Sequence, residues 1–188
     1  ILIKMKFNLE KIKFSKNDLK SNIKIPDKLD AKLAEFIGIM VGDGHIGLYK
    51  NRKNKATYTH YEIRISGNLK DHLYYFYVNN LAYKLFNTKF KFKILKRKNT
   101  IILSKDSKAI FYFLHDIIGI PTKKDSIHIP ECIFKGTKED KCYFLRGFAL
   151  AKAKPKGASC SFSGTDGESI TAVLPEPVVG KATTSRIL

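Results

Sequence analysis

Phe36-Ile37-Gly38-Ile39-Met40-Val41-Gly42-Asp43-Gly44 (FIGIMVGDG) is the stretch on which the fold turns. Leu33 to Met40 suit a helix buried on most sides, and Asp30 ahead of them is a residue type that caps helix N-termini. Gly38 and Gly42 are four apart, so they share one face, and paired small residues let a second helix backbone come close. Gly42-Asp43-Gly44 ends the helix, with Gly44 allowing a sharp exit at positive φ. Asp43 then falls where a carboxylate can meet a divalent cation at a helix seam. The string alone also fits a buried helix with a glycine-rich end and an incidental acidic turn residue.

The chain around it narrows the choice. His45–Tyr49 reads as a strand and Lys50–Lys55 as a basic loop carrying Arg52 and Lys53. Thr57–Ser66 is a second strand, with Tyr61, Ile63 and Ile65 on one face and Tyr58, His60, Glu62 and Arg64 on the other. Asn68 caps a helix reaching Phe86, whose Leu69, Leu73, Phe76, Tyr77, Leu81 and Leu85 recur at helical spacing. Tyr74-Tyr75-Phe76-Tyr77 within it is read as core rather than as a base-stacking platform.

Lys89–Ile94 (KFKFKI) alternates strictly: Lys89, Lys91 and Lys93 face one way, Phe90, Phe92 and Ile94 the other. Asn99 turns the chain into a partner strand, Thr100–Ser104. Asp106 caps a helix to Ile118, a loop with two prolines covers Gly119–Lys138, and a last helix begins near Glu139. The order predicts an α+β fold: an antiparallel sheet of four strands with helices on one face and a cationic face open.

The 188 residues hold 35 Lys and Arg against 17 Asp and Glu, a net charge of +18. Such a field concentrates polyanions, nucleic acid first. A membrane partner is not expected, because no amphipathic basic helix, lipidation signal or apolar run of spanning length is present. Cys132, Cys142 and Cys160 are odd in number and irregularly spaced, which gives neither a disulfide framework nor a zinc pattern. Thiols of a reducing, intracellular compartment are the expectation. At Ala149 the composition changes: all nine tyrosines precede it, and residues 149–188 carry 5 basic and 3 acidic residues, so +2 of the +18. The division expected is a basic N-terminal arm (1–25), a half-domain (26–138), an incomplete helix (139–152) and an atypical, structureless tail (153–188).

FIGIMVGDG resembles the first motif of the LAGLIDADG homing endonucleases, and the αββαββα order is similar to one half-domain of that family. Tyr143-Phe144-Leu145-Arg146-Gly147-Phe148-Ala149 looks like the start of a second motif, with Gly147 matching Gly38. The resemblance implies that Gly38, Gly42 and Gly147 form a helix interface. It further implies that Asp43, with Gly42 beside it, holds Mg²⁺ (or Mn²⁺) for phosphodiester hydrolysis, and that the sheet reads double-stranded DNA. Lys124, in Thr122-Lys123-Lys124-Asp125-Ser126 ahead of Pro130, is similar to the family's lysine near the scissile phosphate. Tyr58, His60, Glu62, Arg64, Lys89, Lys91, Lys93, Arg52 and Lys53 become the candidate DNA contacts.

The second motif then departs from the pattern. Five residues after Gly38 stands Asp43; five after Gly147 stands Lys152, and an ammonium cannot ligate a cation. The resemblance therefore implies a chain whose second half is missing or replaced, through a truncation or a shifted reading frame. It leaves open a homodimer through the Leu33–Gly42 helix, which would restore two acids, and a non-cleaving, maturase-like nucleic-acid binder on the same fold. Further expectations are an intron-encoded origin and a cytoplasmic, nucleoid-associated location, organellar if the source is a eukaryote.

Overall fold

Asp30 starts the central helix: its Oδ1 accepts the Leu33 backbone N–H at 2.8 Å, and α2 runs Ala31–Gly42. Every residue from Leu33 to Gly42 is buried, so this helix is apolar on all sides because it has neighbours on all sides. Phe36, Ile37, Ile39 and Met40 are wholly inaccessible, and burial of side chains of this size contributes about 1.5–3 kcal/mol each. The computed structural model describes residues 5–53, 56–123, 128–152, 159–163 and 169–173; for 51–53, 56–57, 152 and the last two segments it describes the backbone only.

Four strands follow: β1 (Gly44–Lys53), β2 (Ala56–Asn68), β3 (Lys91–Leu95) and β4 (Thr100–Asp106), all antiparallel in the order β1-β2-β4-β3. Between β2 and β3 lies α3 (His72–Phe86). The αββαββ order expected from the sequence is therefore present, with the sheet in one layer and helices packed on one face. Ile46, Ile63, Ile65, Ile101 and Leu103 supply the sheet side of the core, each 1% exposed or less.

Several details differ from expectation. Gly44 does not adopt positive φ; among the described glycines Gly119 alone does. A side chain at Gly44 would instead lie 2.5 Å from the Cα of Met40, so glycine serves close approach rather than a left-handed turn. The basic stretch expected as a loop is strand as far as Lys53, and β2 resumes at Ala56. Asn68 caps a 3-10 turn, Leu69–Asp71, ahead of α3.

In the tyrosine run, Tyr75 is core at 2% exposure, but Phe76 (58%) and Tyr77 (40%) lie open. At Ile94 the strict alternation of KFKFKI also fails: Phe90 is buried, whereas Ile94 is 51% exposed. β3 is an edge strand, and edge strands leave part of their apolar face uncovered. Asn79 anchors the start of this segment. It accepts the Phe90 N–H at 2.7 Å and donates to the Phe90 carbonyl at 3.1 Å.

Ser107, not Asp106, caps α4 (Lys108–Tyr112), accepting from the Ile110 N–H, and the chain continues as a π turn, Phe113–Ile117. The N-terminal segment docks on the core. Phe7 N–H donates to Asp27 at 2.7 Å, and a short helix, α1 (Lys16–Lys20), starts with a reciprocal Ser15–Asp18 cap. Asp18, 1% exposed, also accepts from the Ala109 N–H. Beyond α4 come α5 (Glu131–Phe134), α6 (Lys138–Lys152) and an antiparallel pair, β5 (Ser159–Ser163) with β6 (Ser169–Val173), inside the region expected to be structureless.

Candidate nucleic-acid interface and helix seam

The seam is built by glycines. A Cβ on Gly38 would overlap the backbone of Phe144 and Phe148 in α6, and one on Gly147 would overlap the backbone of Glu35 in α2. One on Gly42 would lie 2.5 Å from the Cβ of Ala151. Each counterpart pair (Gly38 and Gly147, Glu35 and Phe144, Gly42 and Ala151) is 109 residues apart. The helices therefore cross about a local two-fold axis within one chain. Thus α6 covers the glycine face of α2 through which a homodimer had been left open.

Asp43 ends α2 half-buried, its N–H donating to the Ile39 carbonyl at 2.9 Å. Burial raises the Tyr75 hydroxyl well above its ordinary pKa, and the Asp43 carboxylate adds to the rise. Gly67 accommodates that hydroxyl, since a side chain there would overlap it. By the two-fold relation, the position matching Asp43 on α6 is Lys152, whose backbone ends the helix.

A divalent cation of the Mg²⁺ type needs several oxygen ligands, with carboxylates at the centre of the set. The Asp43 end of the seam offers a carboxylate on α2 and, at the matching position of α6, a lysine. No cluster of three or more His, Cys, Asp or Glu that could hold a metal occurs among the described residues. With Lys152 at the position matching Asp43, the residues present do not make a two-acid metal centre, and what remains is a single-carboxylate site at Asp43. Lys124 lies outside the described residues; its neighbour Lys123 is exposed.

The sheet's open face is where the other candidates meet. Register places His45, Arg64, Ser104 and Lys91 in one row across all four strands. Parallel rows hold Gly47, Glu62 and Asp106; Tyr49 and His60; Asn51 and Tyr58; and Ser66, Ile102 and Lys93. Tyr58, Lys91 and Lys93 are exposed, and Arg64 and Glu62 half-buried, with their charged groups 3.8 Å apart. His60, Glu62, Lys89 and Lys91 line one open groove of about 820 Å³ together with Tyr49, Ser104, Lys105 and Asp106.

Two residues differ from the expected row. Lys89 precedes β3 rather than belonging to it, and its Nζ stands 5.8 Å above the Tyr83 ring. By strand alternation Lys53 falls in the register of Tyr49 and Asn51, but Arg52 falls in that of Leu48, on the other face.

With this geometry in view, the chain is similar to solved homing endonucleases. I-DmoI in complex with DNA and Mn shares 22% identity over 64% of this chain and 61% of that one, with a TM-score of 0.45. Mesophilic variants of I-DmoI share 20% over 66% and 62%, also at 0.45. The I-LtrWI LAGLIDADG homing endonuclease bound to target DNA shares 10% over 77% and 66%, at 0.44. This chain spans less than two thirds of the length of those I-DmoI chains. At TM-scores below 0.5 the likeness is partial. No family model matches the chain, and no curated protein matches it.

Sequence reasoning missed two groups. Glu35 is 2% exposed at the α2–α6–α3 junction, where it accepts the Tyr77 hydroxyl at 2.8 Å and lies 3.3 Å from Arg146 Nε. The available signal was one acid inside an otherwise apolar helix. Asp106, read as a helix cap, instead accepts from the Tyr61 N–H at 3.1 Å and pairs with His60 Nδ1 at 2.8 Å.

Proposed function

We propose that this chain binds double-stranded DNA as a LAGLIDADG-type homing-endonuclease half, with the open sheet face in the major groove. The supporting observation is the His45–Arg64–Ser104–Lys91 row across four strands, flanked by Lys93 and backed by an apolar core face. A twisted antiparallel sheet places such a row along base edges, where Arg and Lys read guanine and carboxylates read cytosine. The rest of the +18 charge holds phosphates and sets register without specifying sequence.

Cleavage is the finer part of the proposal. With Asp43 opposed by Lys152, the seam supports hydrolysis of one strand at most. Asp43 is the residue of this chain that would hold a divalent metal, and the chemistry supplied there would be Lewis acidity and an activated water. The second reading is a maturase-like nucleic-acid binder that does not cut, favoured by the lysine at position 152.

The test uses supercoiled DNA carrying the locus in which the coding sequence resides, incubated with the purified chain and Mg²⁺ or Mn²⁺. Open-circular product that disappears in Asp43→Asn, with DNA binding retained, supports the nicking reading. Binding without any product supports the maturase-like one. Linear product overturns the one-acid account, and loss of binding in Asp43→Asn makes Asp43 structural.

A further inference from the structure

Glu62 and Asp106 are register partners on the two central strands, at the end of their ladder, so two carboxylates face each other on the sheet of a strongly cationic protein. Like charges directly opposite destabilise a sheet. One of the two is firmly held. Asp106 Oδ1 accepts the Tyr61 backbone N–H, and Oδ2 lies 2.8 Å from Nδ1 of His60. An ionised carboxylate only accepts hydrogen bonds, so the His60 proton sits on Nδ1. In the neutral imidazole, Nε2 is then a bare acceptor. His60 is 46% and Asp106 55% exposed in their side chains, and with Glu62 they line the same groove.

The geometry points to Asp106 as a positioning residue for base readout: by fixing the His60 tautomer, it makes His60 and Glu62 a pair of acceptors that select an exocyclic amino group. In the major groove those donors are the N4 amino group of cytosine and the N6 amino group of adenine. Lys91, one strand further, contributes the opposite preference, toward guanine or phosphate. The cluster thus divides the sheet face into an amino-selecting centre and a cationic flank. This inference rests on the DNA-binding reading and adds which base chemistry the centre takes.

Asp106→Asn separates positioning from mere structure. The amide oxygen keeps the Tyr61 N–H, which turns the NH₂ group toward His60 and makes Nδ1 the acceptor. The imidazole proton moves to Nε2, now a donor. Binding selection from a library of randomised double-stranded DNA, run at pH 8 with the full chain, reads the consequence. Wild type should enrich cytosine or adenine at one or two adjacent positions. Asp106→Asn should shift those same positions toward guanine or thymine, with the amino-base preference falling by about tenfold or more, and leave the other positions alone. His60→Ala should erase the preference at the same place and serves as the second arm should Asp106→Asn fold poorly.

If Asp106→Asn enriches the same bases as wild type, or either variant weakens binding uniformly at every position, the positioning role is wrong while DNA binding stands. If wild type enriches no sequence at all, the DNA-recognition reading itself fails, and this inference with it.

Discussion

The Glu35 carboxylate of α2 lies 3.3 Å from Nε of Arg146 in α6. Neither atom makes a well-aligned hydrogen bond there, and both are inaccessible, so the pair holds by proximity and charge. It is a charged contact in a seam that is otherwise closed by glycine approaches, and it breaks the two-fold symmetry. The counterpart of Arg146 on α2 is Ile37, so two α2 helices paired face to face would bury two Glu35 carboxylates without an arginine.

Arg146→Ala should therefore cost about 2 kcal/mol, the usual price of stranding one partner of a charged pair; Glu35→Gln should cost less, because the Tyr77 hydroxyl can still donate to the amide oxygen. Urea unfolding of the two variants checks the order. The wild type should sediment as a monomer. A stable dimer that loses nothing when Arg146 is replaced would contradict the pairing role assigned to Glu35.

Gly38 and Gly147 meet backbone, whereas Gly42 meets the Ala151 side chain. A helix backbone cannot retreat without separating the two helices. Gly147→Val and Gly38→Val should thus each destabilise by about 3 kcal/mol or more, at the upper end of overpacking effects. Gly42→Ala combined with Ala151→Gly should recover most of what Gly42→Ala alone loses. Thermal melts of the four proteins read this directly, and equal losses at all three glycines would argue against the close crossing.

Burial pushes the Tyr77 hydroxyl up to about 12, and its hydrogen bond to Glu35 adds to the rise. Tyr74 and Tyr75 are raised as well, again chiefly by burial. A tyrosine raised in the folded state binds its proton more tightly there than in the unfolded chain, which titrates near 10. Its contribution to stability is complete below pH 10 and is lost as pH rises from 10 toward 12. Unfolding free energy measured from pH 8 to 11.5 should hold steady and then fall, and Tyr77→Phe should make the fall shallower.

The helix–strand order was legible because helical spacing in α2 and α3 and strand alternation in β2 each ran for two turns or more of pattern, bounded by residues such as Asp30 that do cap. FIGIMVGDG could be placed as a buried helix without coordinates, and two glycines four apart allowed a second helix, which the resemblance of residues 143–149 supplied. The paired rows of β2 and β4 were legible in part: alternation assigned Tyr58, His60, Glu62 and Arg64 to one face. What could not be read is what depends on partners distant in the chain. Asp106 looks like a helix cap until β2 is laid beside it. Phe76 and Tyr77 look like core until α3 is placed, where Phe76 packs on Phe92 of the edge strand and Tyr77 lies part open with its hydroxyl on Glu35. Ile94 fits an alternating pattern that the edge of the sheet does not complete.

The central claim is that the open sheet face carries double-stranded DNA. The most direct measurement is affinity for duplex DNA across a salt series, for wild type and for Arg64→Ala/Lys91→Ala/Lys93→Ala. Each lost phosphate contact should reduce the slope of log affinity against log salt by about 0.9, while a contact to a base edge lowers affinity with little change in slope. The triple variant should bind more weakly, with the slope reduced by about 0.9 at most through Lys93 on the flank and little through the base-reading Arg64 and Lys91, and with its thermal melt unchanged. An unaltered affinity and slope in that folded variant would place the DNA elsewhere on the molecule and contradict the account.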